Sequence, residues 1–437
     1  MRESPFLLYK EIVPTSSVCL STFFTPYASR TTNSNDEVLF LGDEYLFTAA
    51  AAALNIYKII RKEDTGESFF LHAYHSTLFG RAQDIQVYKP EVSQNVNSRE
   101  QLIVLSLDTG KFCILRFDPA TASLQTMNMF NSQENALGAG AMVKGNKHGL
   151  QRFGGTGLVP YFTIDSFHSI ACSVLYGSEL YFFPLSGNNI THKDRIDEDG
   201  NLNNKDQEDV GIDYIGVEDV IEMRLKSPFL IDLYGSLELG GVILDVLFLS
   251  GFDKPTIAVL QESELLPLGH AKARLHTCTV SALTIDIDKS SATLLWQQQN
   301  LPHDSVRLLM LPSSPSCCRD SVLLVTMNAL LIVSNQGSSG LATNGFAGTS
   351  VAPHIYLQSW DFSEGVELDG SLWLESGMNS CIASLKDGRL FSFELTGLDQ
   401  NDAILNVSKI QFQYNIVCQT PRASSVCVSP SKDLWFL

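Results

Sequence analysis

The sequence repeatedly places two short apolar runs on either side of a tight turn. Most of these turns are polar or contain glycine, and one pair is joined by a longer loop. The pairs span residues 38–41 with 45 onward, 102–107 with 111–117, 171–176 with 179–185, 256–260 with 278–287, 322–327 with 329–333, 381–385 with 389–395, and 426–428 with 434–437. Apolar runs joined by Asp-Gly or Thr-Gly turns are typical of β-hairpins. The pattern therefore predicts an all-β fold.

The spacing of these hairpins favours one architecture within the all-β class. Successive hairpins begin about 45–85 residues apart, which leaves room for about four strands per unit, and no long helical pattern intervenes. A four-stranded blade has two apolar faces that only neighbouring blades can cover. We therefore predict a seven-bladed β-propeller over residues 1–437, WD40-like in architecture but without repeated Trp-Asp dipeptides. A set of β-sandwiches is the alternative, and it requires strands every ~8–12 residues.

Two segments interrupt the hairpin pattern. Residues 138–157 contain seven glycines, three cations and no acid. Residues 187–222 contain eleven acidic side chains against three cations. Both compositions are typical of flexible surface loops.

The charge of the chain constrains its partners. Thirty Lys and Arg residues stand against 48 Asp and Glu residues, so the net charge is −18. Such a chain repels nucleic acid unless basic residues cluster locally. The cluster that meets this condition is Lys144, Lys147 and Arg152 beside Phe153. These four residues are the predicted contact with RNA or a partner.

Cysteine usage and hydropathy indicate a compartment. The chain has nine cysteines, an odd number, and no Cys-x-x-Cys pair. The apolar run at residues 6–9 is shorter than the ~7–15 residues of a secretory signal. These features favour a reducing compartment, the cytosol or the nucleus, and predict no membrane partner.

The motifs of known enzymes are incomplete in this chain. A phosphate-binding loop starting at Gly140 has Asn146 where lysine is required. The pairs His72 with His75 and His276 with Cys278 lack the further ligands of a zinc site. We therefore predict no catalytic, cofactor-binding or metal-binding residues, no small-molecule substrate and no enzymatic activity.

A series of longer motifs, in order along the chain, resembles one protein family. The motifs are SLDTGKFCILRFDP at 106–119, LYGSELYFFP at 175–184, IDL at 231–233, ILDVLFLSGF at 243–252, KPT at 254–256, HTC at 276–278, LW at 295–296, NLP at 300–302, NALLI at 328–332 and SLKDGRLF at 384–391. Together they resemble the N-terminal propeller of the large subunit of the cleavage and polyadenylation specificity factor (CPSF), from about residue 18 to residue 437. The segments 138–157 and 337–350 look like lengthened open loops relative to that family.

The resemblance implies a function. It implies a nuclear scaffold of pre-mRNA 3′-end processing that docks a WD-repeat subunit and a zinc-finger subunit, with pre-mRNA contacted mostly through them. Family members carry three propellers and a C-terminal helical domain, so this chain is expected to be the first propeller alone, incomplete in its last blade. The same superfamily includes the large damaged-DNA-binding subunit. An adaptor of a cullin ubiquitin ligase, or a DNA repair factor, is therefore the alternative.

Overall fold

The computed structural model of the chain describes eighteen stretches of residues. They are residues 20–32, 38–41, 43–50, 53–61, 68–78, 80–89, 98–107, 110–131, 162–175, 179–185, 228–262, 276–311, 320–359, 365–377, 380–396, 411–419, 426–428 and 434–436. The predicted loops 138–157 and 187–222, with Lys144, Lys147, Arg152 and Phe153, lie outside them. In the described residues no helix is both long and apolar enough to cross a membrane.

Six antiparallel sheets follow one another along the chain, and each is called a blade. Blade 1 contains β1 (Leu20–Phe24), β4 (Tyr45–Ala50), β5 (Ala53–Arg61) and β6 (Ser68–Thr77). Blade 2 contains β7 (Ala82–Tyr88), β9 (Leu102–Leu107), β10 (Lys111–Asp118) and β11 (Ser123–Asn131). Blade 3 contains β12 (Phe162–Asp165), β13 (Ile170–Leu175), β14 (Glu179–Pro184) and β15 (Phe229–Asp232). Blade 4 contains β16 (Val242–Leu249), β17 (Thr256–Glu262), β18 (Cys278–Asp286) and β19 (Ser291–Leu301). Blade 5 contains β20 (Ser305–Met310), β21 (Ser321–Thr326), β22 (Ala329–Ser334) and β23 (Gly337–Ala342). Blade 6 contains β25 (Leu372–Gly377), β26 (Ser380–Ser384), β27 (Arg389–Thr396) and β28 (Gln411–Gln419).

The remaining elements decorate these blades. β24 (Tyr356–Gln358) adds a fifth strand to blade 5, parallel to β23. β2 (Tyr27–Thr32), β3 (Val38–Leu41) and β8 (Ser98–Glu100) form a separate small sheet, and β29 (Val426–Val428) pairs with β30 (Leu434–Phe436). Two short helices, α1 (Leu233–Leu237) and α2 (Ala347–Ser350), lie in the connections that follow blades 3 and 5.

The blades are arranged as a propeller. β1 contacts β7, β7 contacts β12, β12 contacts β16 and β16 contacts β20, so the first strand of each blade is its innermost strand. β29 contacts both β25 and β1 and therefore lies between the sixth blade and the first. Consecutive strands of a blade are antiparallel, so the turn between its second and third strands lies at the same end of the ring as the connection to the next blade. We call this the upper end of the ring and the opposite one the lower end.

The cores lie between neighbouring blades, as the two-faced pattern of the strands predicts. Phe47 and Phe117 pack between blades 1 and 2, and Phe112 and Phe183 between blades 2 and 3. Three further clusters join blades 3 to 4, 4 to 5 and 5 to 6, and a small one around Leu46 lies within blade 1. Because the central strands of the blades have buried apolar residues on both faces, each blade depends on its neighbours for burial.

The all-β propeller prediction is confirmed, but the predicted number of blades is wrong: the described residues form six blades, not seven. Residues 38–41 do not pair with the strand after them, because β3 joins β2 in the small sheet. β4 pairs instead with β5, across a turn flanked by Ala50 and Ala53. That turn lies in an alanine run, which carries no polar or glycine signal. The hairpin of β29 and β30 occurs as predicted, but only as a two-stranded sheet.

The expectation of an open loop at 337–350 is also wrong. Residues 337–342 form β23, which is fully paired with β22. Gly340 is required in this strand because an added Cβ would lie 2.1 Å from the Leu330 carbonyl oxygen. Glycine and serine are poor strand formers, so the local composition concealed a strand that pairing with β22 stabilises.

Candidate functional site

Three inner strands carry charged residues at one recurring position. In β7, β16 and β20 the pairing register shifts by one residue immediately before Asp84, Asp245 and Arg307. A β-bulge of this kind re-aims the side chain that follows it. The two half-buried aspartates and the exposed arginine therefore form a charged group on the inner strands of the ring.

Backbone N–H groups hold the two carboxylates. Asp84 Oδ1 accepts the Ile85 N–H at 2.8 Å, and Asp245 Oδ1 accepts the Val246 N–H at 2.9 Å. Asp245 Oδ2 also accepts the Leu308 N–H of β20 at 2.7 Å, so this side chain bridges the inner strands of blades 4 and 5.

The surroundings of Asp84 and Asp245 raise the pKa of both carboxyl groups. Burial raises the pKa of Asp84 to about 6 and that of Asp245 to about 6, and the charge of Arg307 opposes both shifts. The Asp245 charge raises the pKa of Asp84 further. Raised carboxyl pKa values also occur at catalytic sites. Here both groups bind backbone amides, so the geometry indicates a structural role between inner strands.

A chain of side-chain hydrogen bonds crosses the upper end of blade 5. Asn328 Nδ2 donates to Asp304 Oδ2 at 2.7 Å, and Asn344 Nδ2 donates to Asn328 Oδ1 at 3.0 Å. The Phe346 N–H then donates to Asn344 Oδ1 at 2.9 Å. The chain joins the connection that enters blade 5 to the connection that leaves it.

Backbone hydrogen bonds fix the same region. The Met327 N–H donates to the Asp304 carbonyl at 3.1 Å, and the Leu368 N–H donates to the Met327 carbonyl at 2.9 Å. The Val366 N–H donates to the Thr343 carbonyl at 2.8 Å. These hydrogen bonds fix the connection between blades 5 and 6 on the upper end of blade 5.

Histidines lie beside this surface, where blade 4 meets blade 5. Burial lowers the pKa of His276, and a hydrogen bond with the Ser350 backbone opposes this shift. The charges of His354 and His303 also lower the pKa of His276. His276 Nδ1 is buried and makes no hydrogen bond within the described residues. In the part of the chain that the structure describes, no three His, Cys, Asp or Glu side chains are close enough to hold a metal ion.

The lower end carries a second ordered cluster. His168 Nδ1 lies 2.6 Å from Asp165 Oδ2, and His168 Nε2 lies 3.1 Å from the Asp253 carbonyl oxygen. Asp165 Oδ1 accepts the Phe167 N–H at 2.9 Å. The cluster joins the first turns of blades 3 and 4 and leaves the Phe167 side chain 62% exposed.

The structure separates the residues that the sequence singled out. Lys144, Lys147, Arg152 and Phe153 belong to the segment between β11 and β12, outside the described residues. The His72 and His75 rings lie 6.5 Å apart in β6, at the outer edge of blade 1. His75 Nδ1 lies 2.8 Å from Asn55 Oδ1 and is engaged there.

Sequence reasoning missed the upper end of blade 5. Asp304, Asn328 and Asn344 lie in three different connections, and the folding of blade 5 brings them together. In the sequence, Asn328 is only the turn between two apolar runs and the first residue of the NALLI motif. No local spacing could have identified the three as one group, since 40 positions separate the first from the last.

Comparison with known proteins finds relatives in a plant, an insect and a yeast. The chain is 26% identical over 339 residues to cleavage and polyadenylation specificity factor subunit 1 of Arabidopsis thaliana, which covers 74% of this chain and 20% of that protein. It is 22% identical over 409 residues to the Drosophila melanogaster protein of the same name, covering 90% of this chain and 25% of that protein. It is 24% identical over 326 residues to Protein CFT1 of Kluyveromyces lactis, covering 72% of this chain and 21% of that protein.

These matches confirm the resemblance to the CPSF large subunit. They cover most of this chain, although the identity is low. The chain spans about a fifth to a quarter of the length of these curated relatives. No protein-family model matches the chain.

Proposed function

We propose that the chain is a scaffold of the nuclear pre-mRNA 3′-end cleavage and polyadenylation complex. The similarity to CPSF subunit 1 of a plant and an insect, and to a yeast CFT1, over 72% to 90% of the chain carries this proposal. A scaffold requires a rigid body with many distinct surfaces, and a ring of blades joined by shared cores supplies one. The chain performs no chemistry in this role.

In this role the ring docks other subunits of the complex. The partners are a WD-repeat subunit and a zinc-finger subunit, which themselves recognise the polyadenylation signal, so pre-mRNA is contacted mostly indirectly. Affinity in such interfaces comes from a few buried anchor residues surrounded by nearly neutral contacts. The surfaces between blades, where loops of different blades meet, offer such anchors.

Affinity purification of the full-length protein followed by mass spectrometry tests this function. Polyadenylation factors are the expected partners, with enrichment over a matched unrelated propeller as the control. Recovery of cullin ubiquitin-ligase subunits instead would favour the damaged-DNA-binding branch. A turnover activity that is lost on mutating one polar cluster would contradict the non-enzymatic role.

We propose further that the chain is the first of several propellers. β29 contacts both β25 and β1, so the hairpin of β29 and β30 lies where blade 6 meets blade 1. Deleting residues 426–437 should then lower the melting temperature, because the inner strands of blades 1 and 6 lose a neighbour. An unchanged melting temperature would contradict a role of this hairpin in closing the ring.

Direct RNA contact is proposed for one segment, residues 138–157. It carries Lys144, Lys147 and Arg152 with Phe153, and cations beside an aromatic ring suit single-stranded RNA. Replacing the three cations with alanine should reduce RNA binding by the assembled complex and flatten its salt dependence. Replacing Lys193, Arg195 and Lys205 of the acidic segment removes equal charge and is the control. Unchanged salt-dependent binding in the first variant would exclude this contact.

A further inference from the structure

Phe346 is displayed on the upper end of blade 5. Its side chain is 71% exposed, the largest fraction among the exposed large hydrophobic residues that the structure describes. Met327, in the adjacent turn, is 37% exposed. An exposed aromatic beside a second apolar side chain is a common form of interface anchor.

The backbone of Phe346 is held in place before any partner binds. Its N–H donates to Asn344 Oδ1, and its carbonyl accepts both the Thr349 N–H at 2.9 Å and the Thr349 Oγ1 hydroxyl at 2.7 Å. Asn344 is fixed in turn by Asn328, and Asn328 by Asp304. Preorganisation of this kind reduces the entropy cost of association.

The charge around Phe346 is negative and uncompensated. Asp304 is only 6% exposed, and its Oδ1 has no hydrogen-bond partner among the described residues. Glu367 is exposed and forms no ion pair within the described part of the chain. The nearby cations of blade 6 are engaged, because Lys386 pairs with Asp369 and Arg389 pairs with Asp387. Asp304 Oδ1 is buried, so Glu367 is the acidic group of this surface that a partner can contact directly, and Asp304 adds negative potential beneath it.

We propose that this surface, formed by Asp304, Met327, Asn328, Asn344, Phe346 and Glu367, binds a basic segment of a partner protein. An arginine or lysine of that segment lies over the Phe346 ring and forms an ion pair with Glu367, while the buried Asp304 carboxylate attracts it at longer range. RNA is disfavoured as the occupant, because its phosphates would face two carboxylates. The inference rests on the proposed scaffold function and specifies which chemistry the scaffold recognises at this place.

Reconstitution with purified polyadenylation-factor subunits is the first test. Phe346→Arg and Glu367→Lys reverse the character of the surface at exposed positions and should leave the fold intact. Each should weaken assembly at least about tenfold, as expected for an anchor residue. Phe167→Ala removes another exposed aromatic, 62% exposed at the lower end, and is the control. Assembly that is unchanged in the first two variants would overturn the inference while leaving the scaffold function standing.

A second test does not depend on those subunits. The 437-residue chain is titrated with a fluorescent peptide of alternating arginine and glycine, with its glutamate counterpart and with a single-stranded RNA of equal length. The basic peptide should bind more tightly than the other two, and Glu367→Lys should weaken it at least about fivefold, more so at low salt. Equal binding of the acidic peptide or the RNA, or no effect of Glu367→Lys, would overturn the inference even if the complex assembles. Failure of the wild-type chain to assemble, with the basic peptide still bound, would instead reject the scaffold function.

Discussion

The side-chain amide of Gln358 forms two hydrogen bonds with the backbone of Phe412, one to its carbonyl oxygen and one from its N–H. Gln358 Nε2 donates to the Phe412 carbonyl oxygen at 3.1 Å, and Gln358 Oε1 accepts the Phe412 N–H at 2.9 Å. Gln358 lies in β24, the added strand of blade 5, whereas Phe412 lies in β28, the outermost strand of blade 6. The amide thus acts as a short piece of neighbouring strand and joins the rims of two blades.

Loss of this connection should be measurable. Gln358→Ala removes both hydrogen bonds and should lower the free energy of unfolding by about 1–3 kcal/mol. Urea denaturation followed by circular dichroism measures it. Gln299→Ala is the control, because Gln299 is exposed and its side-chain amide donates to the side chain of Gln297 in its own strand. Equal stability of the two variants would contradict a role in joining the rims.

Gly340 should tolerate no side chain. A Cβ at this position would lie 2.1 Å from the Leu330 carbonyl oxygen and 2.5 Å from Leu331 Cδ2, inside the core between blades. Gly340→Ala should therefore destabilise the chain by at least about 3 kcal/mol, since strands must separate to admit the methyl group. Gly345→Ala meets nothing within 4 Å and should be nearly neutral. Thermal melting of both variants decides the matter, and a folded, fully stable Gly340→Ala protein would refute the packing described here.

The Asp84 carboxyl should make stability depend on pH. Its pKa rises from 3.8 to about 6 on folding, so the folded chain binds this proton more tightly than the unfolded chain. The stability that it contributes is present below about pH 4 and is lost as the pH rises through about 6. Asp84→Asn, which keeps the acceptor for the Ile85 N–H, should match the wild type near pH 4 and exceed it at pH 7 by at most about 3 kcal/mol.

Denaturant titrations at several pH values measure the difference in unfolding free energy between Asp84→Asn and the wild type. Asp118→Asn provides a control of opposite sign, because hydrogen bonds from Thr121 and the Ala120 backbone lower the pKa of Asp118. The stability that Asp118 contributes is therefore present above its ordinary pKa and lost as the pH falls. A difference between Asp84→Asn and wild type that stays constant from pH 4 to pH 7 would disprove the prediction.

His168 should act as a link between blades 3 and 4. His168 Nε2 faces the Asp253 carbonyl oxygen, which can only accept a hydrogen bond, so Nε2 is the donor. His168 Nδ1 faces the Asp165 carboxylate. His168→Ala should cost about 1–3 kcal/mol and speed hydrogen exchange in residues 250–255. His75→Ala, an exposed histidine at the rim of blade 1, should change neither quantity. Unchanged exchange at 250–255 in His168→Ala would count against the link.

Much of the fold was predictable because its determinants are local. The β9–β10, β13–β14, β21–β22 and β26–β27 hairpins occur where apolar runs flank short turns, and their two-faced burial requires blade neighbours. The turn between β4 and β5 in blade 1 and the strand β23 had no such signal: that turn lies in an alanine run, and four of the six residues of β23 are glycine or serine. In both places pairing with an adjacent strand overrode a weak local preference. The blade count was wrong for another reason, because the last predicted hairpin forms only a two-stranded sheet.

The sequence by itself determined the all-β class, the blade repeat and the resemblance to the CPSF large subunit, because these follow from patterns that short segments carry. Only the tertiary structure decided which polar residues act together. Asp304, Asn328 and Asn344 meet at the upper end of blade 5, and Asp84, Asp245 and Arg307 meet on the inner strands. Each group draws on separate connections or blades. Folding the strands into blades and the blades into a ring brings distant residues within hydrogen-bonding or Coulomb range, which no spacing along the chain encodes.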